Sequence, residues 1–308
     1  MQTIQLISLR HSAFYTPYLM TFTADFLSQQ GLKAEYHCVN QVDELESALL
    51  DGTAHVAQSA VGISMKNFAN RTISNQQSIF HFAQINQRDG FFIAAASQDH
   101  SKDISKSQEF NWRCLENKRL IADHLFQPIA TLKYVLEKNE VDVDKVEFID
   151  AGDVHQSITA FKAGKADFIH LQGPYPQQLV AEGHATIVAS VGEALGEIAY
   201  SSLCATSSWL KSPMAKQFLK AYQASVQYVN KTGAQQLAQQ LLPLFESIDV
   251  EILSETIQAY KKLSSWSNNI WISKQSFQKA NDVFLFSGDV ENNIEYKQIV
   301  YSELNANF

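Results

Sequence analysis

An apolar run of Ile4, Leu6, Ile7 and Leu9 ends in Arg10, His11 and Ser12, and two rings, Phe14 and Tyr15, follow before Pro17 opens a helical pattern. A strand that stops in a cation, an imidazole and two aromatics offers the parts of a ligand rim. Rings stack on planar groups, and an imidazole donates, accepts and titrates near neutrality. The competing reading is a core aromatic pair beside a solvated His. Asp123, His124, Phe126 and Gln127 repeat the theme, with His124 lying 113 residues after His11. Asp123 there can hydrogen-bond an amine or simply cap a helix.

Three further groups carry chemistry. Gln58 and Ser59 precede the helical run AVGISMKNFA. Backbone N–H groups at such a start suit an anion or a carbonyl, and plain N-capping by Ser59 accounts for the pattern equally well. Gln84, Asn86, Gln87, Arg88 and Asp89 interrupt two apolar strands. A turn explains Asp89-Gly90 but not the amides. Arg88 can fork onto a carboxylate, sulfonate or phosphate, or form a surface ion pair with Asp89. His170, Gln172, Gly173, Pro174 and Tyr175 follow a short apolar strand; Gly173-Pro174 reads as a turn, and Gln172 and Tyr175 are the ligand candidates. Glu193 and Glu197 either meet a ligand cation or are solvated charges. The four tryptophans read as packing, with Trp209 stapling a helix start.

Composition narrows the function classes. The chain has 308 residues, 45% hydrophobic and 18% charged, with net charge −8. No basic patch argues for a nucleic-acid partner, and no apolar stretch approaches the ~18 residues of a membrane helix. The N-terminus MQTIQLISLRHS shows no signal-peptide pattern. Cys38, Cys114 and Cys204 are scattered and odd in number, which predicts free thiols rather than disulfides or a metal centre. Nucleophile-elbow, P-loop, dinucleotide and zinc-protease motifs are missing. No enzyme activity, cofactor or metal is expected.

An internal echo organises the chain. ALLDGTAHVAQS (48–59) and AFKAGKADFIHL (160–171) share a helix end, a Gly suited to a left-handed cap and a short buried strand, with Gly52 and Gly164 112 residues apart. Strands at 4–9, 34–39 and 54–57 alternate with helices at 15–30 and 43–51. Strands at 118–122, 145–149 and 166–169 alternate with helices at 128–138 and 153–163. Each half is β-α-β-α-β, which implies parallel strands with right-handed crossovers. Further strands are predicted at 78–84, 91–96 and 200–206, then helices from Ser212 onward and over 233–242, 253–264 and 274–286. Lobe one is expected to comprise 1–95 and 200–308, and lobe two 96–199. Ligands of open parallel sheets bind outside the carboxyl ends of the strands. The polar loops named above all begin there, and facing lobes would bring them to one cleft.

Four stretches, HSAFYTPY with FLSQQGLKAEY, LESALLDGTAHVAQSA, ITAFKAGKADFIHLQGPYPQQLVAEG and YSSLCATSSWL, resemble solute-binding proteins of the nitrate/taurine/sulfonate ABC-transporter group. That group includes the thiamine-pyrimidine-precursor binders and the thiamine-pyrimidine synthases. The resemblance implies an α/β, two-lobed periplasmic-binding-protein-like fold of type 2, with parallel-sheet lobes and a helical C-terminal tail. It implies a monomer that closes over a small molecule in the periplasm and delivers it to an ABC transporter permease. It also implies a ligand contact near Gln172 and Tyr175. The synthase branch carries a pyridoxal-phosphate lysine and a histidine where this chain has Ser59 and Ile63, and Lys66 lies one to two turns too far to substitute. The ligand-binding residues expected are His11, Phe14, Tyr15, Gln58, Ser59, Asn86, Arg88, Asp123, His124, Gln127, Gln172, Tyr175 and Glu193. Rings with amides favour a planar heterocycle, such as a pyrimidine thiamine precursor, over a simple anion. A cytoplasmic enzyme of thiamine-pyrimidine-type metabolism on the same fold is the alternative.

Overall fold

The computed structural model describes residues 1–70, 79–97 and 110–304, which form two units, residues 1–87 with 197–304 and residues 88–196. The predicted boundaries near 95 and 200 move to 87/88 and 196/197. The strand Phe91–Ala96 thereby joins the second unit, because both of its neighbours lie there.

The first unit holds β1 (Gln2–Ser8), β2 (Leu32–Cys38), β3 (Val56–Ala60), β4 (Ile79–Gln84) and β10 (Ser201–Thr206), in the order β2-β1-β3-β10-β4. The second holds β5 (Phe91–Ala96), β6 (Arg119–Ile121), β7 (Glu147–Ile149), β8 (Phe168–Gln172) and β9 (Ala185–Ser190), in the order β7-β6-β8-β5-β9. β2-β1-β3 and β7-β6-β8 are parallel, as the echo predicts. The sheets are nevertheless mixed. β10 runs antiparallel to β3 and β4, and β5 antiparallel to β8 and β9. Each of these two strands enters its sheet directly from the other unit, without the helical crossover that makes neighbours parallel. The edge strand β9 was not foreseen.

Local chemistry accounts for the element ends. Gly52 and Gly164 both take left-handed φ, +80° and +73°, after their helices, a conformation open to Gly at little steric cost. Asp153 caps Val154–Lys162 in a reciprocal box with Gln156, Pro128 sits in the first turn of Gln127–Lys138, and Ser212 caps Pro213–Lys231. Asp43 lies in the first turn of Val42–Leu50 behind Gln41 at the cap. The predicted helix over 15–30 is two helices, Thr16–Thr23 and Phe26–Gln29, separated at Asp25, whose φ of +60° cannot continue a helix. Helices Ala234–Leu241, Val250–Lys262 and Lys274–Phe286 belong to the first unit.

Each sheet packs its helices over an apolar core. Ile7, Leu9, Leu45, Leu49, Ala57 and Cys204 close one face of the first. Ala94, Ile121, Phe161, Ile169, Leu171 and Leu179 close one face of the second. Among the described residues, no helix is long and apolar enough to cross a membrane.

Candidate functional site at the carboxyl ends of the strands

In the first unit the loop after β1 is pinned on every side. His11 donates through Nε2 to the Leu244 carbonyl at 2.8 Å, and its Nδ1 lies 3.1 Å from the Tyr36 hydroxyl. Its ring packs 4.4 Å from that of Phe245. Burial lowers its pKa, and the bond to Leu244 offsets part of that. Both nitrogens are therefore committed, and His11 is a clasp between the loop and the C-terminal helices rather than a solvated group. Phe14 is fully buried, 4.8 Å from the Tyr260 ring and 5.9 Å from that of Tyr200. The expected stacking face is occupied by the protein's own core. Tyr15 is also buried, with its ring 5.7 Å from Phe14.

The amides behave differently. Gln58 pairs in register with Ser8 of β1 and Leu203 of β10, and it is only 3% exposed. Its Nε2 reaches the Ser59 carbonyl at 3.4 Å, and Oε1 is buried without a protein partner. Asn86, fully buried just past β4, donates Nδ2 to the Phe14 carbonyl at 2.8 Å, while its Oδ1 is buried without a protein partner. Trp266 Nε1 donates to the same Phe14 carbonyl at 3.0 Å. Ser59 lies within β3, opposite Ser202. The helix begins at Val61, so the cap position is Ala60 and not Ser59. Gln84 spends its Nε2 on the Asn269 carbonyl, and Gln87 its own on Ser264. Lys66 pairs with Asp289 at 3.1 Å.

In the second unit, Asp89 is fully buried. It accepts from the Thr131 hydroxyl at 2.6 Å and from the Phe91 amide at 2.7 Å. It is an internal anchor, not half of a surface pair, and Asp89-Gly90 belongs to the crossing between sheets rather than to a hairpin. The Asp89 carbonyl lies where a Cβ on Gly192 would stand, 2.1 Å away, so only Gly fits there. Arg88 reaches the Gly192 carbonyl through Nη1 at 3.4 Å, with Nε buried and unpartnered. Asp123 accepts from the Leu125 amide in a local turn. His124 is exposed and donates from Nδ1 to the Ala122 carbonyl. Gln127, the first residue of its helix, is buried, and so is Gln172 at the end of β8. The His170 ring lies 4.5 Å from that of Phe91, tilted by 31°.

Two further candidates follow the ends of β8 and β9. Tyr175 packs on the second unit's core, edge-on to His155, and burial raises its hydroxyl pKa. Glu193 is exposed in the first turn of a short helix, where a carboxylate suits the helix dipole and no pocket is required. The sequence reading also missed a buried imidazole. His81, within β4, lies 2.6 Å from the Ser202 hydroxyl and 2.8 Å from that of Ser64, and burial depresses its pKa to about 3. The one legible sign was a His inside the apolar strand SIFHFAQ, whose Ser78 lies outside the described residues. Two surface cavities of about 560 and 630 Å3 open on the first unit, and no predicted residue lines either. Among the described residues, no His, Cys, Asp and Glu group could hold a metal ion.

Comparison with known proteins places this geometry. A family model described as "NMT1/THI5 like" matches residues 13–234, and the chain belongs to that family. The Bacillus subtilis (strain 168) protein named "Putative binding protein YtlA" is 25% identical over 305 residues, covering 98% of this chain and 88% of that one. Two solved structures share the fold. The alkanesulfonate-binding protein SsuA from Xanthomonas axonopodis pv. citri, bound to MOPS, superposes with TM-score 0.73 at 13% identity over 98% of each chain. The periplasmic nitrate-binding protein NrtA from Synechocystis PCC 6803 superposes with TM-score 0.72 at 12% identity, over 99% of this chain and 88% of that one.

Proposed function

We propose that this member of the NMT1/THI5-like family is the solute-binding protein of an ABC importer. It captures a small, polar, planar heterocyclic molecule at the carboxyl ends of its parallel strands. It works as a monomer in the periplasm and hands its cargo to a permease. One observation carries this reading: buried polar side chains gather at those strand ends. They are Gln58, Ser59 and Asn86 in the first unit, and Gln127 and Gln172 in the second. Packing alone would fill such positions with apolar groups, because a buried amide costs free energy unless it finds a partner. The name of the Bacillus relative and the binding proteins that share the fold support capture. So does the chemistry of the family's enzyme-like position. Ser59 offers no amine to a cofactor aldehyde, and Lys66 is tied to Asp289.

Phe14 no longer supports a stacking role, so the planar ligand rests on Tyr15, half-buried Phe126 and the amide set. Native mass spectrometry of the purified protein, compared with its denatured mass, tests the reading. A non-covalent organic molecule that leaves on denaturation is expected, with a thermal shift when pyrimidines are added back. No bound mass, and no shift with pyrimidines, flavins, sulfonates or amino acids, would overturn it.

A further inference from the structure

We infer that the first unit carries a second ligand site, outside the strand ends, where the cavity beyond the edge strand β4 takes a small aromatic anion. The site stands apart from the capture reading and does not depend on it.

β4 is the last strand of its sheet. On its open side Val300 bridges to His81, and the Tyr301 amide donates to the His81 carbonyl at 2.8 Å. The stretch from Asn269 to Lys274 and the stretch from Glu295 to Ser302 wall the cavity of about 630 Å3, a volume in the range of small-molecule sites. Both walls are fastened. The Gln84 amide donates to the Ile270 carbonyl at 2.7 Å, and its side chain to the Asn269 carbonyl at 2.7 Å. Asn269 Oδ1 in turn accepts from the Trp271 amide at 3.1 Å. The Tyr296 hydroxyl donates to the Ile272 carbonyl at 2.6 Å and so joins one wall to the other. Its ring meets that of Phe277 edge-on at 5.3 Å. A cavity whose walls are already held needs little ordering when it is filled.

The lining selects the occupant. Trp271 and Tyr296, both half-buried, bring aromatic rings to the cavity, and rings of this kind pack against a planar apolar body. The one carboxylate of the lining, Glu295, is spent twice. It accepts from the Gln298 amide in a reciprocal cap and pairs with Lys297 at 2.9 Å. Lys274 has no carboxylate partner among the described residues. An ammonium beside two rings therefore remains to meet an acid group, and a charge-assisted bond to a carboxylate or sulfonate is stronger than one to a neutral acceptor. A cationic ring would face Lys274 with no uncommitted carboxylate to balance it.

NMR spectra of the full chain test this by following the Trp271 indole N–H, assigned with Trp271→Phe, as 2-naphthoate or its uncharged amide, 2-naphthamide, is added. The Trp271 signal should shift saturably with 2-naphthoate, and 2-naphthamide should bind about tenfold more weakly, the effect of one hydrogen bond between charged groups. Lys274→Gln should weaken 2-naphthoate by about tenfold, and Lys274→Arg should retain the affinity. Thermal melts establish that each variant folds. No saturable Trp271 shift up to about 10 mM 2-naphthoate overturns the inference. So does equal binding of the acid and the amide, or an affinity that Lys274→Gln leaves unchanged. The Trp266 indole, bonded to the Phe14 carbonyl, reports on the strand ends. A shift confined to Trp266 places the compound there, overturns the second site and leaves solute capture standing.

Discussion

His55 and Asp167 occupy the same place in two copies of one motif and do one job with different chemistry. In the first unit the Gln5 amide donates to His55 Nδ1 at 2.9 Å, and the His55 amide donates to the Gln5 carbonyl at 2.9 Å. In the second, the Arg119 amide donates to Asp167 Oδ2 at 2.9 Å, and the Asp167 amide to the Arg119 carbonyl at 2.9 Å. The motif needs an acceptor that ties the start of the third strand to the first. A neutral imidazole and a carboxylate both qualify. Burial lowers the His55 pKa and so favours its accepting form, while the Arg119 guanidinium beside Asp167 holds that carboxyl below its usual range. The copies diverge more at the next loop. Phe14 and His11 are enclosed by Tyr260, Phe245 and Leu244 from the C-terminal helices, whereas His124 and Leu125 are exposed. What distinguishes the loops is the helical tail of the first unit, not the motif.

The largest effect should separate these loops. Phe14→Ala should cost about 3–5 kcal/mol of unfolding free energy, and Phe126→Ala, half-buried, about 1 kcal/mol or less. Urea denaturation measures both, and equal losses would mean that the tail does not set the difference. The next effect follows pH. The folded-state pKa of His81, about 3, lies below its ordinary 6.5. The unfolded chain therefore binds the proton first, so stability is full above about pH 6.5 and falls as pH drops toward 3. The steepest contribution is about 1.4 kcal/mol per pH unit. His81→Gln should flatten the curve of urea midpoint against pH; an unchanged curve would place the titration elsewhere. The smallest effect compares the two anchors. Asp167→Ala should cost about 1–2 kcal/mol, losing a backbone bond and part of an ion pair, and His55→Ala about 1 kcal/mol. His55→Ala should matter less at pH 5 than at pH 8, because the folded-state pKa is lowered and below about pH 6.5 the unfolded chain takes up a proton that the accepting imidazole must do without; a loss that does not change with pH would remove His55 from the anchoring role.

The sequence by itself determined the alternation of strands and helices, the two-copy plan and the loops at the strand ends. These depend on local rules that Gly52, Gly164, Asp153, Pro128 and Ser212 obey wherever they occur. It also placed Gln58, Asn86, Gln127 and Gln172 at those ends. Only the tertiary structure decided which of the candidates have their polar atoms or ring faces taken up by the protein's own groups. Phe14 and His11 look like binding groups until the tail, more than 200 residues away in the chain, supplies Tyr260, Phe245 and the Leu244 carbonyl. Asp89 looks like a surface charge until Thr131 reaches it. The strand directions of β5 and β10 were likewise undecided, because a strand's polarity depends on where its chain enters the sheet. A side chain's polarity is a property of its type, but whether that polarity is spent inside the protein depends on partners distant in sequence.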